Sequence, residues 1–140
     1  MKPPRLWEIL IRKAEQDEYV VDNLLALSDS PDEVIGFHLQ QAAEKLLKAA
    51  LGVRGIPYRR THNLGELIHL LDVHETPIPD GLDSLHDLTP YATEWRYDFL
   101  PDEGGKTFDR TSARETVRQL RNWVEELVRV GPSFPPEQGL

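Results

Sequence analysis

Residues 36–51, GFHLQQAAEKLLKAAL, read as one helix with an unusually wide apolar side. At about 100° per residue, Ile35, Leu39, Ala42, Ala43, Leu46, Leu47, Ala49 and Ala50 fall within roughly 160° of one another. A helix with that much apolar arc must touch neighbours on two sides, which places it at the centre of a bundle. The remaining strip carries Gln40, Gln41, Glu44, Lys45 and Lys48. It brings amide donors and opposite charges to the edge of a buried element.

Four further helical segments surround this one, and no stretch reads as a strand. The first runs from about Pro4 to Leu27, with a seam of Trp7, Leu10, Ala14, Val21, Leu24 and Leu25. Asp17 and Glu18 interrupt the seam where apolar residues belong. Ser28 to Pro31 supplies turn formers, and Pro31 suits a first helical turn. The second helix is expected to end at Gly52, a favourable C-terminal cap residue. After a loop holding Gly55 and Pro57, Thr61 is the expected N-cap of a third helix through Val73, with His62 in its first turn. A fourth segment from Leu82 to Phe99 contains Pro90, which predicts a kink or restart capped by Thr89. The last helix, Thr111 to Val130, repeats Ala113, Val117, Leu120, Val124 and Leu127 at helical spacing before Gly131-Pro132 stops it.

The expected fold is therefore all-α: an up-and-down bundle of about five helices, whose two long antiparallel central helices are the first pair. Residues 1–130 form this single domain and residues 131–140 a loose Pro-rich tail. At 140 residues the chain is long enough to bury a substantial core. It has no cysteine, which excludes disulfides and thiolate chemistry. No apolar run approaches the ~18 residues of a membrane span, and no signal segment precedes the first helix, so a cytoplasmic protein is expected.

A net charge of −8 argues against indiscriminate coating of nucleic acid. Yet no acidic residue lies between Glu44 and Glu66, where Lys45, Lys48, Arg54, Arg59, Arg60 and His62 are found. This run is either a local cationic patch able to hold a phosphate or a loop neutralised by acids from other helices.

Four pieces together resemble a known family. Residues 37–49 (FHLQQAAEKLLKA) are similar to the second helix of HEPN domains, the higher eukaryote and prokaryote nucleotide-binding family. KAEQD at 13–17, THNL at 61–64 and RYD at 96–98 fall in the family's order. The resemblance implies a helical bundle that forms a homodimer, and single-domain members are commonly encoded beside a minimal nucleotidyltransferase in toxin–antitoxin-like pairs. It further implies a role with nucleotide or RNA. Nuclease members cut RNA without a metal, using an arginine followed a few residues later by a histidine. Arg96 is present here, but no histidine occurs beyond His86, so the usual catalytic pair is incomplete.

Among individual residues, Arg96 stands between Trp95 and Tyr97, and a guanidinium suits phosphate through its planar fork of donors. His62 follows Arg59 and Arg60 and is the candidate to replace the missing base. Glu44 and Lys48 have the favourable order of an exposed helical ion pair. Gln40 and Gln41 point about 100° apart and are not expected to serve one site. His38, at the border of the apolar arc, reads as a satisfied, half-buried histidine. Tyr91, Trp95 and Tyr97 are aromatic candidates for a dimer interface. No spacing of His69, His74 or His86 indicates a metal site, and no cofactor is expected. The ligand-binding candidates are thus Lys45, Lys48, Arg60, His62, Arg96 and Tyr97, with Arg96 and His62 also the candidates for catalysis. The leading expectation is a binding protein for nucleotide or RNA phosphate. The alternatives are a metal-independent RNase and a purely structural interaction module.

Overall fold

The computed structural model describes residues 5–93 and 108–131. Within them lie α1 (Leu6–Leu25), α2 (Asp32–Val53), α3 (Leu64–Val73), a 3₁₀-helix (Asp83–Thr93) and α4 (Arg110–Val130). There is no strand among the described residues. The fold is all-α, a helical bundle centred on α2.

The wide apolar arc explains that position. Ile35, Leu39, Ala42, Ala43, Leu46, Leu47, Ala49 and Ala50 are all fully buried. α2 touches α1, α3, α4 and the 3₁₀-helix. It runs antiparallel to α1: Trp7 at the start of α1 faces Gly52 near the end of α2, while Asp17 in mid-α1 bonds His38 and Lys45. α4 also runs antiparallel to α1, since Arg114 reaches Glu18 and Asp22 whereas Arg121 reaches Glu15 and Glu18. Arg110 ties the head of α4 to that of α2, its Nη2 donating to the Ser30 carbonyl at 2.6 Å and its Nε to Asp32 at 2.9 Å.

Helix ends differ from the sequence expectation in ways with local causes. α2 continues through Gly52 to Val53, and Gly55 terminates it with φ of 72°. The amide of Ile56 donates to Leu51 O at 2.8 Å and that of Gly55 to Gly52 O at 3.1 Å, the paired closure of a Schellman motif. Gly52 serves packing instead, because a Cβ there would lie 3.1 Å from Trp7 Cβ. The N-cap of α3 is Asn63, not Thr61; its Oδ1 accepts from Glu66 N at 3.1 Å, while Thr61 Oγ1 accepts from Asn63 N. His62 therefore precedes the helix rather than sitting in its first turn.

The fourth segment departs most. It forms no α-helix up to Thr93 but a 3₁₀-helix that continues through Pro90, with no restart at Thr89. Leu82, Leu85, Leu88 and Tyr91 recur every third residue and are all buried. Three residues per turn aligns them on one side, as 3.6 would not. Tyr91, an interface candidate from sequence, is instead buried, its ring occupying the space a Cβ on Gly36 would need and its ring centre 5.1 Å from the Phe108 ring centre. Trp95 and the remainder of that segment lie outside the described residues, as does the tail from 132 onward.

The polar interruption in α1 joins helices. Glu18 is buried and accepts hydrogen bonds from Arg114 at 3.2 Å and Arg121 at 2.8 and 3.0 Å. No helix among the described residues is long and apolar enough to cross a membrane.

Candidate functional site

The polar strip of α2 is a continuous hydrogen-bonded chain. At one end, Asp17 of α1 takes the Lys45 ammonium at 2.6 Å and His38 Nδ1 at 3.0 Å. Lys45 also donates to Gln41 Oε1 at 3.4 Å. Gln41 donates to Gln40 Oε1 at 2.7 Å, and Gln40 donates to Glu44 Oε1 at 3.1 Å and to the carbonyl of His62 at 3.2 Å. Glu44 then holds Lys48 at 2.8 Å and His62 Nδ1 at 3.0 Å. The two glutamines, expected to serve different surroundings, are linked because their long side chains bend around the helix toward one another. His38 is the half-buried, partnered histidine its position implied.

Burial varies sharply along this chain. Gln40 is fully buried and the Glu44 side chain is 8% exposed, whereas the His62 side chain is 67% exposed. Glu44–Lys48 is consequently an almost buried ion pair, not the exposed helical pair expected. Burial pushes the Glu44 carboxyl upward, but hydrogen bonds from Lys48, His62 and Gln40 outweigh it and hold the group below its ordinary value. The Tyr58 phenol is raised, first by burial and then by the negative charge of Glu44. The Lys48 ammonium lies 5.9 Å from the centre of the Tyr58 ring.

The cationic run between Glu44 and Glu66 is thus largely matched by acids. Lys45 is held by Asp17, Lys48 by Glu44, and Arg59 makes a two-pronged bond to Glu66 at 2.7 and 2.8 Å. Arg60 is exposed and has no acidic partner among the described residues. It stands two residues from His62 on the same loop. Arg96 and Tyr97 lie outside the described residues.

Asp17 and Tyr58 are the members that sequence reading did not assign. Asp17 left a signal, as an acid in an apolar seam. Tyr58 left none, since its contact depends on how the loop folds back over α2. Among the described residues no group of three His, Asp or Glu side chains is arranged to hold a metal ion. A separate cleft of about 450 Å³, lined by residues including His86, Pro90, Tyr91, Phe108 and Ala113, shares no residue with the strip.

These features define a helical-bundle protein whose central helix holds an exposed imidazole through two buried polar side chains. The HEPN domain model matches residues 7–129, most of the chain. The protein belongs to the HEPN domain family. Comparison with curated proteins and with solved structures gives no match.

Proposed function

We propose that the protein binds nucleotide or RNA phosphate at the edge of α2, using Arg60 and His62 from the α2–α3 loop together with Arg96 and Tyr97. The observation that carries this reading is the support of His62. Glu44 holds its ring and Gln40 holds its carbonyl, leaving the imidazole solvent-facing on the loop that carries the exposed Arg60. Family membership supports a nucleotide- or RNA-related role. Lys45 and Lys48 act within this proposal by balancing Asp17 and Glu44, and Lys48 becomes available to a ligand only by sharing Glu44. Tyr97 supplies a face for base stacking.

In the same reading the chain works as a homodimer and pairs with a minimal nucleotidyltransferase in a toxin–antitoxin-like system, as single-domain HEPN proteins commonly do. Titration of RNA against the wild type, Arg60→Ala and Arg96→Ala tests the site. Loss of affinity in both variants is expected. Equal affinity in all three, or no binding by any, removes the proposal. Light scattering at micromolar concentration tests the dimer, and a monomer counts against it.

A second reading, metal-independent RNA cleavage, is favoured by the Glu44–His62 pair. A carboxylate on Nδ1 orients an imidazole to accept a proton at Nε2, here from a ribose 2′-hydroxyl, while arginine stabilises the phosphorane charge. Cleavage that survives EDTA and is lost in His62→Ala is the expected signature. Full activity in the double variant at His62 and Arg96 excludes it.

A further inference from the structure

His62 is held in a way that dictates which of its nitrogens carries a proton. Glu44 is ionised near neutral pH, held so by Lys48, Gln40 and the imidazole against the cost of burial. An ionised carboxylate only accepts hydrogen bonds. With Nδ1 3.0 and 3.2 Å from its two oxygens, the ring must place a proton on Nδ1. Uncharged His62 then presents the bare lone pair of Nε2 outward, which repels a phosphate oxygen. Charged His62 presents an N–H donor there instead.

We infer that Glu44 locks the tautomer of His62, so that holding a phosphate at this edge requires uptake of one proton at Nε2. The inference rests on the phosphate-binding reading and names its regulation. The same lock gives the two functional readings opposite pH dependence. Binding needs the charged ring and weakens as pH rises, whereas general-base cleavage needs the neutral ring and speeds up.

His86 apart, the charged groups around His62 are matched in pairs or permanently ionised. From α2 the ring is faced by Glu44, whose charge is shared with Lys48; Lys45 farther along is matched by Asp17 of α1. On its own loop, Arg59 is matched by Glu66 of α3, and Arg60 carries a permanent charge. Tyr58 is raised further from its ordinary value and stays neutral. From the 3₁₀-helix, His86 lies against the Gly65 turn beside Asn63. Gaining a proton at His62 therefore adds a positive charge on the loop that carries Arg60, faced by a Glu44 already shared with Lys48. Gln40 matters too, because anchoring the carbonyl of His62 keeps the ring from turning away from Glu44.

The probe is an oligouridylate roughly eight nucleotides long without terminal phosphates, whose diesters do not titrate in this range. Calorimetry from pH 5.5 to 8, in buffers of different ionisation enthalpy, should show proton uptake rising from near zero on the acid side of imidazole titration to close to one per site on the alkaline side. Affinity should fall about ten-fold per pH unit on the alkaline side of imidazole titration. In His62→Gln the pH dependence should vanish. In Glu44→Gln the amide can donate to Nδ1, which allows a neutral ring protonated at Nε2, so the slope should become shallower. A merely structural Glu44 would leave the slope unchanged. Long-range proton–nitrogen NMR of the wild type at pH 8 reads the tautomer without any variant, and a proton on Nε2 rather than Nδ1 overturns the lock. Affinity that ignores pH but is lost in Arg60→Ala overturns this inference and leaves the phosphate site standing. No binding at any pH overturns both.

Discussion

Replacing Glu18 with alanine should be among the most damaging single changes in the described part of the chain. Glu18 is 5% exposed and accepts from two guanidinium groups, Arg114 and Arg121, whose side chains are 9% and 12% exposed. Removing one member of a buried charge network leaves the others uncompensated, typically at a cost of about 3–5 kcal/mol. Here the orphaned arginines keep other partners: Arg114 bonds Asp22 at 2.7 and 3.1 Å, and Arg121 bonds Glu125 at 3.1 Å. Those acids are about half exposed, which weakens what they return. The balance falls at the low end, about 3 kcal/mol, or roughly 6–12 °C in Tm for a chain of this size. Urea denaturation of wild type and variant measures it directly. The triple variant Glu18→Leu, Arg114→Met, Arg121→Met should recover to within about 1 kcal/mol of wild type, because apolar replacement of a buried ionic cluster is often neutral or better. A loss below about 1 kcal/mol in Glu18→Ala, or a triple variant no better than the single, would refute the argument that burial sets the cost.

Gly36→Ala should destabilise by about 1–3 kcal/mol, since its Cβ would lie 2.6–2.8 Å from three ring atoms of Tyr91; thermal melts that instead show the gain usual for a helical Gly→Ala would contradict that contact. Glu75→Gly should stabilise by about 0.5–1 kcal/mol, because Glu75 holds φ of 64° where it closes α3, with Thr76 N donating to Leu71 O at 2.8 Å. Chemical denaturation settles its sign. Acid should weaken the fold through Glu44 and Asp22. Arg114 lowers Asp22 chiefly through its hydrogen bond, and Glu44 is lowered by its three partners despite burial. A depressed carboxylate stabilises the folded state fully above its ordinary value. That contribution fades as pH falls from about 4.5 through the lower folded value. Glu44→Gln should flatten the pH–stability curve in that window, and an unchanged curve would contradict the assignment.

The parts of the bundle readable in advance are those where a local pattern has one physical outcome. Ile35 to Ala50 could bury its arc only against several neighbours, and α4's Val117, Leu120 and Val124 only against one face. Helix ends were harder to place, because Gly52 and Gly55 both satisfy the local preference for glycine and only contact with Trp7 separates their roles. Leu82, Leu85, Leu88 and Tyr91 fitted an α-helical reading loosely and a 3₁₀ one closely. Pro90 predicts a kink or restart by the rules of an α-helix, whereas the tighter helix runs through it. For the candidate site, His62 and Arg60 were singled out from their place in an acid-free stretch. Of the carboxylates that match their lysine and arginine neighbours, Glu44 and Glu66 lie within one or two helical turns in sequence, but Asp17 reaches Lys45 from 28 residues away, beyond any local window.

Periodicity and family likeness, both properties of short segments, were enough to establish an all-α HEPN bundle with α2 at its centre. Which charges are spent on one another was settled by folding. Asp17 meets His38 and Lys45 once α1 packs on α2, Glu18 meets Arg114 and Arg121 once α4 packs on α1, and Glu44 meets His62 once the α2–α3 loop folds back on α2. Burial follows from chain pattern because hydrophobic area is additive and non-directional. Partnership between ions depends on distances of a few ångströms between residues as distant in sequence as Glu15 and Arg121, which exist only in the assembled molecule.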